Sequence, residues 1–202
     1  MNYKNRKLVY GVGINDADYA VNPTINGKKV MCKFYRAWAN MLQRCYDPKC
    51  HAIRPTYVGC TVTEEWHYFM SFREWMLGQN WEGKQLDKDL LVEGNKIYGP
   101  EFCVFADQPT NSLFIDSAAA RGDLPVGVDL TFGKYRASLS VEGKTTHLGC
   151  FYTPEEAHNC YLTAKAIKVM SAAYKQDDAR IKDALIDRSI SMSDRAMTWG
   201  EA

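Results

Sequence analysis

Residues 126–161, VGVDLTFGKYRASLSVEGKTTHLGCFYTPEEAHNCY, contain the strongest structural signals in the chain. Three strand-forming runs, VGVDLT, KYRASLSV and THLGCF, are separated by Phe132-Gly133 and by Glu142-Gly143-Lys144, which are typical hairpin turns. Thr153-Pro154-Glu155-Glu156 then predicts a helix start, because it places a cap, a proline and two acids in the order that helix N-termini prefer. We therefore expect a three-stranded antiparallel sheet followed by one helix.

Alternation along KYRASLSV separates the two faces of the central strand. Ala137, Leu139 and Val141 are predicted to face the helix, whereas Arg136, Ser138 and Ser140 face away from it. The helix shows an apolar stripe at helical spacing, formed by Ala157, Cys160, Tyr161, Ala164 and Ile167. Its charged continuation is predicted to run to about residue 188, with frayed residues after it.

This stretch resembles the plant ethylene-response-factor (AP-two) DNA-binding domain, which also occurs in homing endonucleases of phages and mobile elements. The matching residues are Gly127-Val128, Gly133-Lys134-Tyr135-Arg136-Ala137, Leu148-Gly149-x-Phe151-x-Thr153-x-Glu155-Glu156-Ala157 and Tyr161. The resemblance implies that the free face of the sheet lies in the major groove of double-stranded DNA, where arginine reads guanine.

The residues expected on this DNA-reading face are Lys134, Arg136, Ser138, Ser140, Lys144, Thr145 and His147, beside Asp129 and Thr131. The plant domains carry several arginines and tryptophans there. This chain offers three cations and an aspartate, so we expect modest affinity from this module alone. A sheet face that binds protein, or nothing, is the alternative.

The N-terminal part contains an amphipathic helix over 33–46. Phe34, Trp38, Met41, Leu42 and Cys45 form its apolar stripe, and Asp47-Pro48 ends it. Lys33, Arg36 and Arg44 lie off the stripe and are expected to contact the DNA backbone. A second helix is predicted from its N-cap Thr63 to Gly78, and two short strands and a short helix near Gln108-Pro109 are predicted within 84–114.

This part is similar to phage HNH (His-Me finger) proteins that are often fused to such a domain. The similarity runs through Trp38-x-x-Met41-x-x-Arg44-Cys45-Tyr46, Tyr57-x-Gly59-Cys60-x-Val62-x-x-x-Trp66, Trp75-Met76, Leu86-Asp87-Lys88-Asp89-Leu90 and Gly94-Asn95-Lys96-x-Tyr98-x-Pro100-x-x-Cys103, and it ends at Asn111. In such a finger an aspartate and an asparagine hold one divalent cation, and a histidine deprotonates water. Asp87 and Asn111 match the metal-binding positions, which implies Mg²⁺ or another divalent cation.

Lys88 occupies the position where the catalytic histidine is expected. A lysine ammonium is a poor general base at neutral pH. Three alternatives remain open: Lys88 acts because burial or the metal disfavours its charged form, Asp89 or His67 activates water instead, or the finger has lost its chemistry and survives as a DNA-binding scaffold. The catalytic candidates are accordingly Asp87, Lys88, Asp89 and Asn111.

Composition limits the class of protein. The 202 residues are 46% hydrophobic with a net charge of +1, which is ordinary for a folded domain and too apolar for a disordered chain. Residues 1–54 hold ten Lys/Arg and three Asp, a net +7 that leaves −6 for the remainder. Seven irregularly spaced cysteines and no signal peptide favour the cytoplasm, that of the host if the gene belongs to a phage, and no structural zinc is expected.

These patterns predict an α+β protein with an HNH-like module over 1–115, a linker over 116–124, an AP-two-like domain with an extended helix over 125–188, and a tail over 189–202. The expected function is that of a phage or mobile-element protein that binds double-stranded DNA and nicks or cuts it if the finger is active. The alternatives are a catalytically inactive repressor or anti-host protein, and an inhibitor that binds a protein target; a homodimer is compatible with each of them. No membrane partner is expected.

Overall fold

The computed structural model describes residues 6–114, 123–141 and 143–198. Helices combine with small, mostly antiparallel sheets, so the protein is of the α+β class, as predicted. The chain divides into a first unit, Met1–Gln108, and a second unit, Pro109–Ala202. This division precedes the predicted linker, of which residues 116–122 lie outside the described residues.

The first unit combines short helices with two-stranded sheets. Its helices are α1 (Lys33–Tyr46), α2 (Pro48–Ile53) and α3 (Phe69–Leu77), with single 3-10 turns at Pro55–Tyr57 and Glu64–His67. Its strands are β1 (Thr24–Ile25), β2 (Lys28–Lys29), β3 (Thr61–Val62), β4 (Gln85–Asp87), β5 (Ile97–Tyr98) and β6 (Val104–Ala106). The pairs β1–β2 and β4–β6 are antiparallel, and β3–β5 is parallel. The short helix α4 (Gln108–Asn111) follows β6, where a helix was expected.

Helix α1 has the predicted bounds. Its apolar stripe is buried at Trp38, Met41, Leu42 and Cys45, and the indole N–H of Trp38 donates to the carbonyl of Trp66 at 2.7 Å. The surrounding core is rich in aromatic rings, because α1 and α3 pack their wide side chains against each other. Phe105 of β6 and Leu86 of β4 belong to the same cluster, which connects this strand pair to the helices.

The predicted helix over 63–78 is interrupted in the structure. The segment Glu64–His67 forms a 3-10 turn, Tyr68 is extended, and α3 begins only at Phe69. The segment 14–16 causes this break, because Ile14 pairs with Tyr68 and the carboxylate of Asp16 accepts the backbone N–H of Met70 at 2.9 Å. Thr63 makes no side-chain cap, so its predicted capping role is wrong.

The second unit contains the three-stranded sheet and two long helices. Strands β7 (Val128–Thr131), β8 (Lys134–Val141) and β9 (Lys144–Phe151) form an antiparallel sheet in chain order. Helix α5 (Pro154–Ala173) packs on one face of this sheet, and helix α6 (Ala179–Thr198) packs on α5. The sheet–helix core is formed by Val128, Ala137, Leu139, Ala157, Tyr161 and Leu162.

Helix α5 begins as the sequence predicts but buries more than one stripe. Thr153 and Glu156 form a reciprocal capping box at its N-terminus. Ala157 and Tyr161 are buried toward the sheet, whereas Ile167 is 65% exposed, so its predicted burial is wrong. The reason is that α6 covers a second face of α5, at Ala166, Val169 and Ala173 among others.

The predicted single extended helix is in fact two helices. The chain turns over 174–178, and the carboxylate of Asp178 accepts the backbone N–H of Arg180 at 2.9 Å where α6 begins. Helix α6 continues to Thr198, beyond the predicted end near 188, because Leu185 and Ser189 are buried against α5. The hydroxyl of Ser189 donates to the carbonyl of Ala166 at 2.8 Å. None of the helices in the described ranges has the length and apolar character that crossing a membrane requires.

Candidate nucleic-acid interface

The strand register defines which side chains share the sheet face that α5 leaves open. Residues that pair directly across an antiparallel sheet point to the same side. Asp129 pairs with Arg136, Ser138 with His147, and Ser140 with Thr145. The open face therefore carries, from strand to strand, Asp129 and Thr131, then Lys134, Arg136, Ser138 and Ser140, then Thr145, His147 and Cys150.

A β-bulge in β9 determines which residues of that strand reach the open face. Ala137 pairs with Gly149 but Ser138 pairs with His147, which leaves Leu148 as the extra residue. Leu148 packs into the core on the helix side. Because the bulge shifts the alternation, Cys150 lies opposite Arg136, and its exposed thiol joins the open face.

Two residues of the β8–β9 hairpin end differ from their predicted positions. Lys144 pairs with Val141, which shares the parity of Ala137 and Leu139 on the helix side. Lys144 is therefore not on the open face with Arg136. Val141 is 41% exposed rather than buried, because it lies at the hairpin end beyond the reach of the helix core.

Arg136 and Asp129 form the central charged contact of the open face. The Nε atom of Arg136 donates to Oδ1 of Asp129 at 3.0 Å, and Nη2 donates to Oδ2 at 2.6 Å. The hydrogen bond and the charge of Asp129 raise the pKa of Arg136 above its ordinary value. Nearby, the ammonium of Lys134 lies 4.8 Å from the ring centroid of the exposed Tyr152. The face thus presents two cations, one carboxylate, several hydroxyl groups and the imidazole of His147.

In the first unit, Asp87 ends β4 and closes a tight turn. Its Oδ1 atom accepts the backbone N–H groups of Asp89 at 2.9 Å and of Leu90 at 2.6 Å. Burial raises the pKa of Asp87 above its ordinary value, and the charge of the neighbouring Asp89 raises it further. The side chain that was expected to bind metal is therefore also the cap of its own loop.

Lys88 is buried, with 7% of its side chain exposed. Its ammonium donates to Oδ2 of Asp89 at 3.0 Å and to the carbonyl of Asn95 at 2.8 Å. Burial raises the pKa of Asp89, but the hydrogen bond and charge of Lys88 outweigh it, so that the pKa lies below its ordinary value. The lysine at the expected histidine position is thus held inside the loop by two hydrogen bonds.

Asn95 completes this loop from the other side. Its side-chain amide donates to the carbonyls of Lys88 at 2.6 Å and of Ile97 at 2.7 Å, and its Oδ1 accepts the backbone N–H of Ile97 at 3.1 Å. Hydrogen bonds between Lys88 and Asn95 therefore connect the two ends of the loop that joins β4 to β5. The sequence marks Asn95 only as a turn residue beside Gly94, and its clamping role was missed.

The other catalytic candidates lie in different surroundings. Asn111 ends α4 and belongs to the second unit, whereas Asp87, Lys88 and Asp89 belong to the first. His67 lies in the 3-10 turn before α3, where its carbonyl accepts the backbone N–H of Ile14 at 2.8 Å. Of the catalytic candidates, Asp87, Lys88 and Asp89 lie together, where β4 leads into the loop to β5.

The two carboxylates of this loop already have hydrogen-bond partners within the protein. Carboxylate oxygens suit Mg²⁺, but one oxygen of Asp87 already caps two N–H groups and Asp89 is already paired with an ammonium. Within the ranges that the structure describes, no group of three or more His, Cys, Asp or Glu side chains is arranged to hold a metal ion. The divalent cation expected at Asp87 and Asn111 stays a prediction, and no chemical step is assigned to it.

The three cations predicted on α1 separate into two kinds. Lys33 and Arg36 are exposed at the start of the helix. Arg44 is half-buried instead: its guanidinium lies 5.5 Å from the ring centroid of Tyr57 and donates to the carbonyl of Leu86 at 3.5 Å. Burial disfavours the charged form of Arg44, but Tyr98 and Tyr57 outweigh it and raise the pKa. These contacts favour a structural role for Arg44.

Comparisons with known proteins gave no match: no family model, no curated protein and no solved structure is significantly similar to this chain.

Proposed function

We propose that the protein binds double-stranded DNA through the open face of the β7–β9 sheet, as a phage or mobile-element protein of the HNH homing-endonuclease type. One observation carries the proposal: the register collects Arg136, Lys134 and His147 with hydroxyl side chains on one exposed face, while the other face packs on α5. A sheet of this width fits the major groove, and these side-chain types bind base edges and phosphates.

The first unit supports this proposal through its charge. Its cations near the N-terminus include exposed residues on the β1–β2 hairpin and on α1, such as Lys28, Lys29, Lys33 and Arg36. Exposed cations of this kind contact phosphates without reading sequence. We assign the first unit to backbone contact and the sheet of the second unit to sequence readout.

We further propose that the finger of the first unit is a scaffold rather than a nuclease. The support is the pair of hydrogen bonds from Lys88 to Asp89 and to the carbonyl of Asn95, which engage the residue at the expected histidine position. This corresponds to a repressor or anti-host protein that acts by occupying its site. No proton transfer is assigned to Asp87, Lys88 or Asp89.

The binding proposal is tested by fluorescence anisotropy with duplex DNA over a range of salt concentrations. We expect binding that weakens steeply with salt and does not require a divalent cation. Arg136→Ala should reduce the affinity, whereas Arg180→Ala, which removes an equally exposed arginine from α6, should not. The absence of any binding at low salt would refute DNA binding and leave a protein target as the alternative.

The scaffold proposal is tested with supercoiled plasmid in the presence of Mg²⁺ or Mn²⁺. We expect no discrete nicked product above the background given by the Asp87→Ala variant. Nicking by the wild-type protein that is lost in Asp87→Ala would overturn the scaffold proposal in favour of a metal-dependent nuclease. Nicking that persists in Asp87→Ala would indicate a contaminating activity or a different site.

A further inference from the structure

The ion pair between Asp129 and Arg136 is unusual for a surface that faces DNA. A carboxylate at this position repels phosphates, and exposed ion pairs contribute little to folding stability. Both side chains are almost half exposed. Neither stability nor bulk attraction to DNA therefore explains why Asp129 stands beside Arg136 on this face.

The geometry of the pair leaves one edge of the guanidinium open. Asp129 takes the Nε–Nη2 edge of Arg136, with distances of 3.0 and 2.6 Å. The opposite edge, formed by Nη1 and the second hydrogen of Nη2, still offers two parallel donors. This edge matches the O6 and N7 acceptors of guanine in the major groove.

The pair also fixes the direction of the arginine before DNA arrives. Asp129 and Arg136 are Cα partners across β7 and β8, so the backbone ladder sets the distance that the ion pair spans. A guanidinium that is held in one orientation loses less rotamer entropy on binding than a free one. The same carboxylate disfavours non-specific contacts, because it cancels the charge of Arg136 toward phosphates.

We propose that Asp129 is a specificity-determining residue that orients Arg136 to read a guanine. This inference rests on the proposed binding of DNA by the sheet face and adds to it the base that is read and the residue that enforces the reading. Asp129 acts through Arg136, so it is a positioning residue.

The inference is tested by selection from a duplex library with a randomised centre, followed by anisotropy on the selected duplex and on single-base replacements. We expect the wild-type protein to select a guanine whose replacement weakens binding. In Asp129→Asn that discrimination should fall by roughly tenfold, while affinity for random duplex rises about threefold. Arg136→Lys should lose the guanine preference without the gain in random binding, because it keeps the charge but not the fork.

Asp178→Asn is the matched control. Asp178 also pairs with an arginine, Arg180, through two hydrogen bonds, but it lies at the start of α6 rather than on the sheet. The substitution changes the net charge equally, and it should leave the guanine preference unchanged. Thermal melting of each variant checks that the fold is retained.

The outcomes separate this inference from the function on which it rests. A guanine preference that is the same in Asp129→Asn as in the wild type would overturn the role of Asp129 while leaving DNA binding intact. A selected site without an Arg136-dependent guanine would do the same. No binding of any duplex by the wild-type protein would refute the proposed function itself.

Discussion

At the residue scale, Lys88 is a buried charged group of the first unit that two hydrogen bonds hold in place. Its side chain is 7% exposed and makes hydrogen bonds to Asp89 and to the carbonyl of Asn95. A buried charge is tolerated only where such partners compensate for the loss of water. Lys88 therefore stabilises the loop, and removing it takes the charged donor away from Asp89 and from the carbonyl of Asn95.

Lys88→Met should lower the free energy of unfolding by about 1–3 kcal/mol, because it leaves these acceptors without their charged donor. Urea denaturation at neutral pH measures this change. Lys96→Met is the control: Lys96 is exposed and its ammonium contacts the carbonyl of Thr56 at 2.6 Å. That variant should stay within about 0.5 kcal/mol of the wild type. Equal losses in the two variants would contradict the role assigned to Lys88.

Asp87 leads to a prediction about pH. Its folded-state pKa is raised by burial and by Asp89, so its ionisation opposes folding. The wild-type free energy of unfolding therefore contains a penalty that is absent below the unfolded pKa and grows as pH rises through the folded pKa. Asp87→Asn removes this charge but keeps the oxygen that caps the N–H groups of Asp89 and Leu90.

We expect Asp87→Asn to gain stability relative to the wild type as the pH increases from 4 to 7.5, as measured by urea denaturation at each pH. Asp89 has a lowered pKa and keeps its bond to Lys88, so it stays ionised over this pH range in both proteins. A variant whose stability relative to the wild type does not change with pH, or declines as the pH rises, would refute the assignment of a raised pKa to Asp87.

At the element scale, the turn that leads into β7 depends on a glycine. Gly127 has φ +78°, and a Cβ atom added there would overlap the ring of Tyr161 on α5. This close approach lets Val128 enter the core beside Ala157. Position 127 therefore requires glycine both for its positive φ and for the close approach of the Tyr161 ring.

Gly127→Ala should destabilise the second unit by about 2 kcal/mol or more, since it combines backbone strain with a steric clash. Hydrogen exchange of peptides from β8 and α5 measures this effect within the unit. Gly133→Ala is the matched control, because Gly133 has φ +74° but open space around the added Cβ. It should lose only about 1 kcal/mol from the unfavourable φ. A smaller loss in Gly127→Ala than in Gly133→Ala would argue against the clash.

The same elements explain how far the sequence could predict the structure. The bounds of α1 follow from a local stripe ended by Asp47-Pro48, and the hairpin turns of the sheet follow from their glycines. The break at Tyr68 does not, because it comes from Ile14 and Asp16, more than fifty residues away. Long-range partners of this kind leave no periodic signal in the chain.

The candidate sites show a similar limit. Alternation along β8 correctly predicts which side Arg136, Ser138 and Ser140 occupy relative to the buried Ala137 and Leu139. The bulge at Leu148 is not visible in the sequence, and it is the bulge that brings Cys150 to this face. Likewise, no local pattern reveals that Lys88 is buried, since its partners depend on how the loop folds back.

At the scale of the whole molecule, the net charge of +1 hides an uneven distribution. The structure adds that two of the three acids within residues 1–54 act as helix caps: Asp16 accepts the N–H of Met70, and Asp47 accepts the N–H of Lys49. The carboxylates of Asp16 and Asp47 thus accept backbone N–H groups, whereas most of the described cations within residues 1–54 are exposed to solvent. This supports general attraction to phosphates by the first unit and readout by the second.

The central claim, that duplex DNA covers the open face of the sheet, can be tested through Cys150. This thiol is the exposed one among the seven free cysteines, and it lies opposite Arg136. Cys45, Cys60 and Cys103 are buried, and burial raises the pKa of Cys45 and Cys103 to about 12, so they should react slowly. The half-buried Cys160 on α5 provides an internal reference.

The decisive measurement is the rate of maleimide labelling at Cys150, followed by peptide mass spectrometry, with and without saturating duplex DNA whose binding is verified by anisotropy. We predict that bound DNA slows labelling of Cys150 by about tenfold or more, through steric exclusion from the groove, while the rate at Cys160 stays the same. Unchanged labelling of Cys150 in a complex that is fully formed would contradict the claim that this face binds DNA.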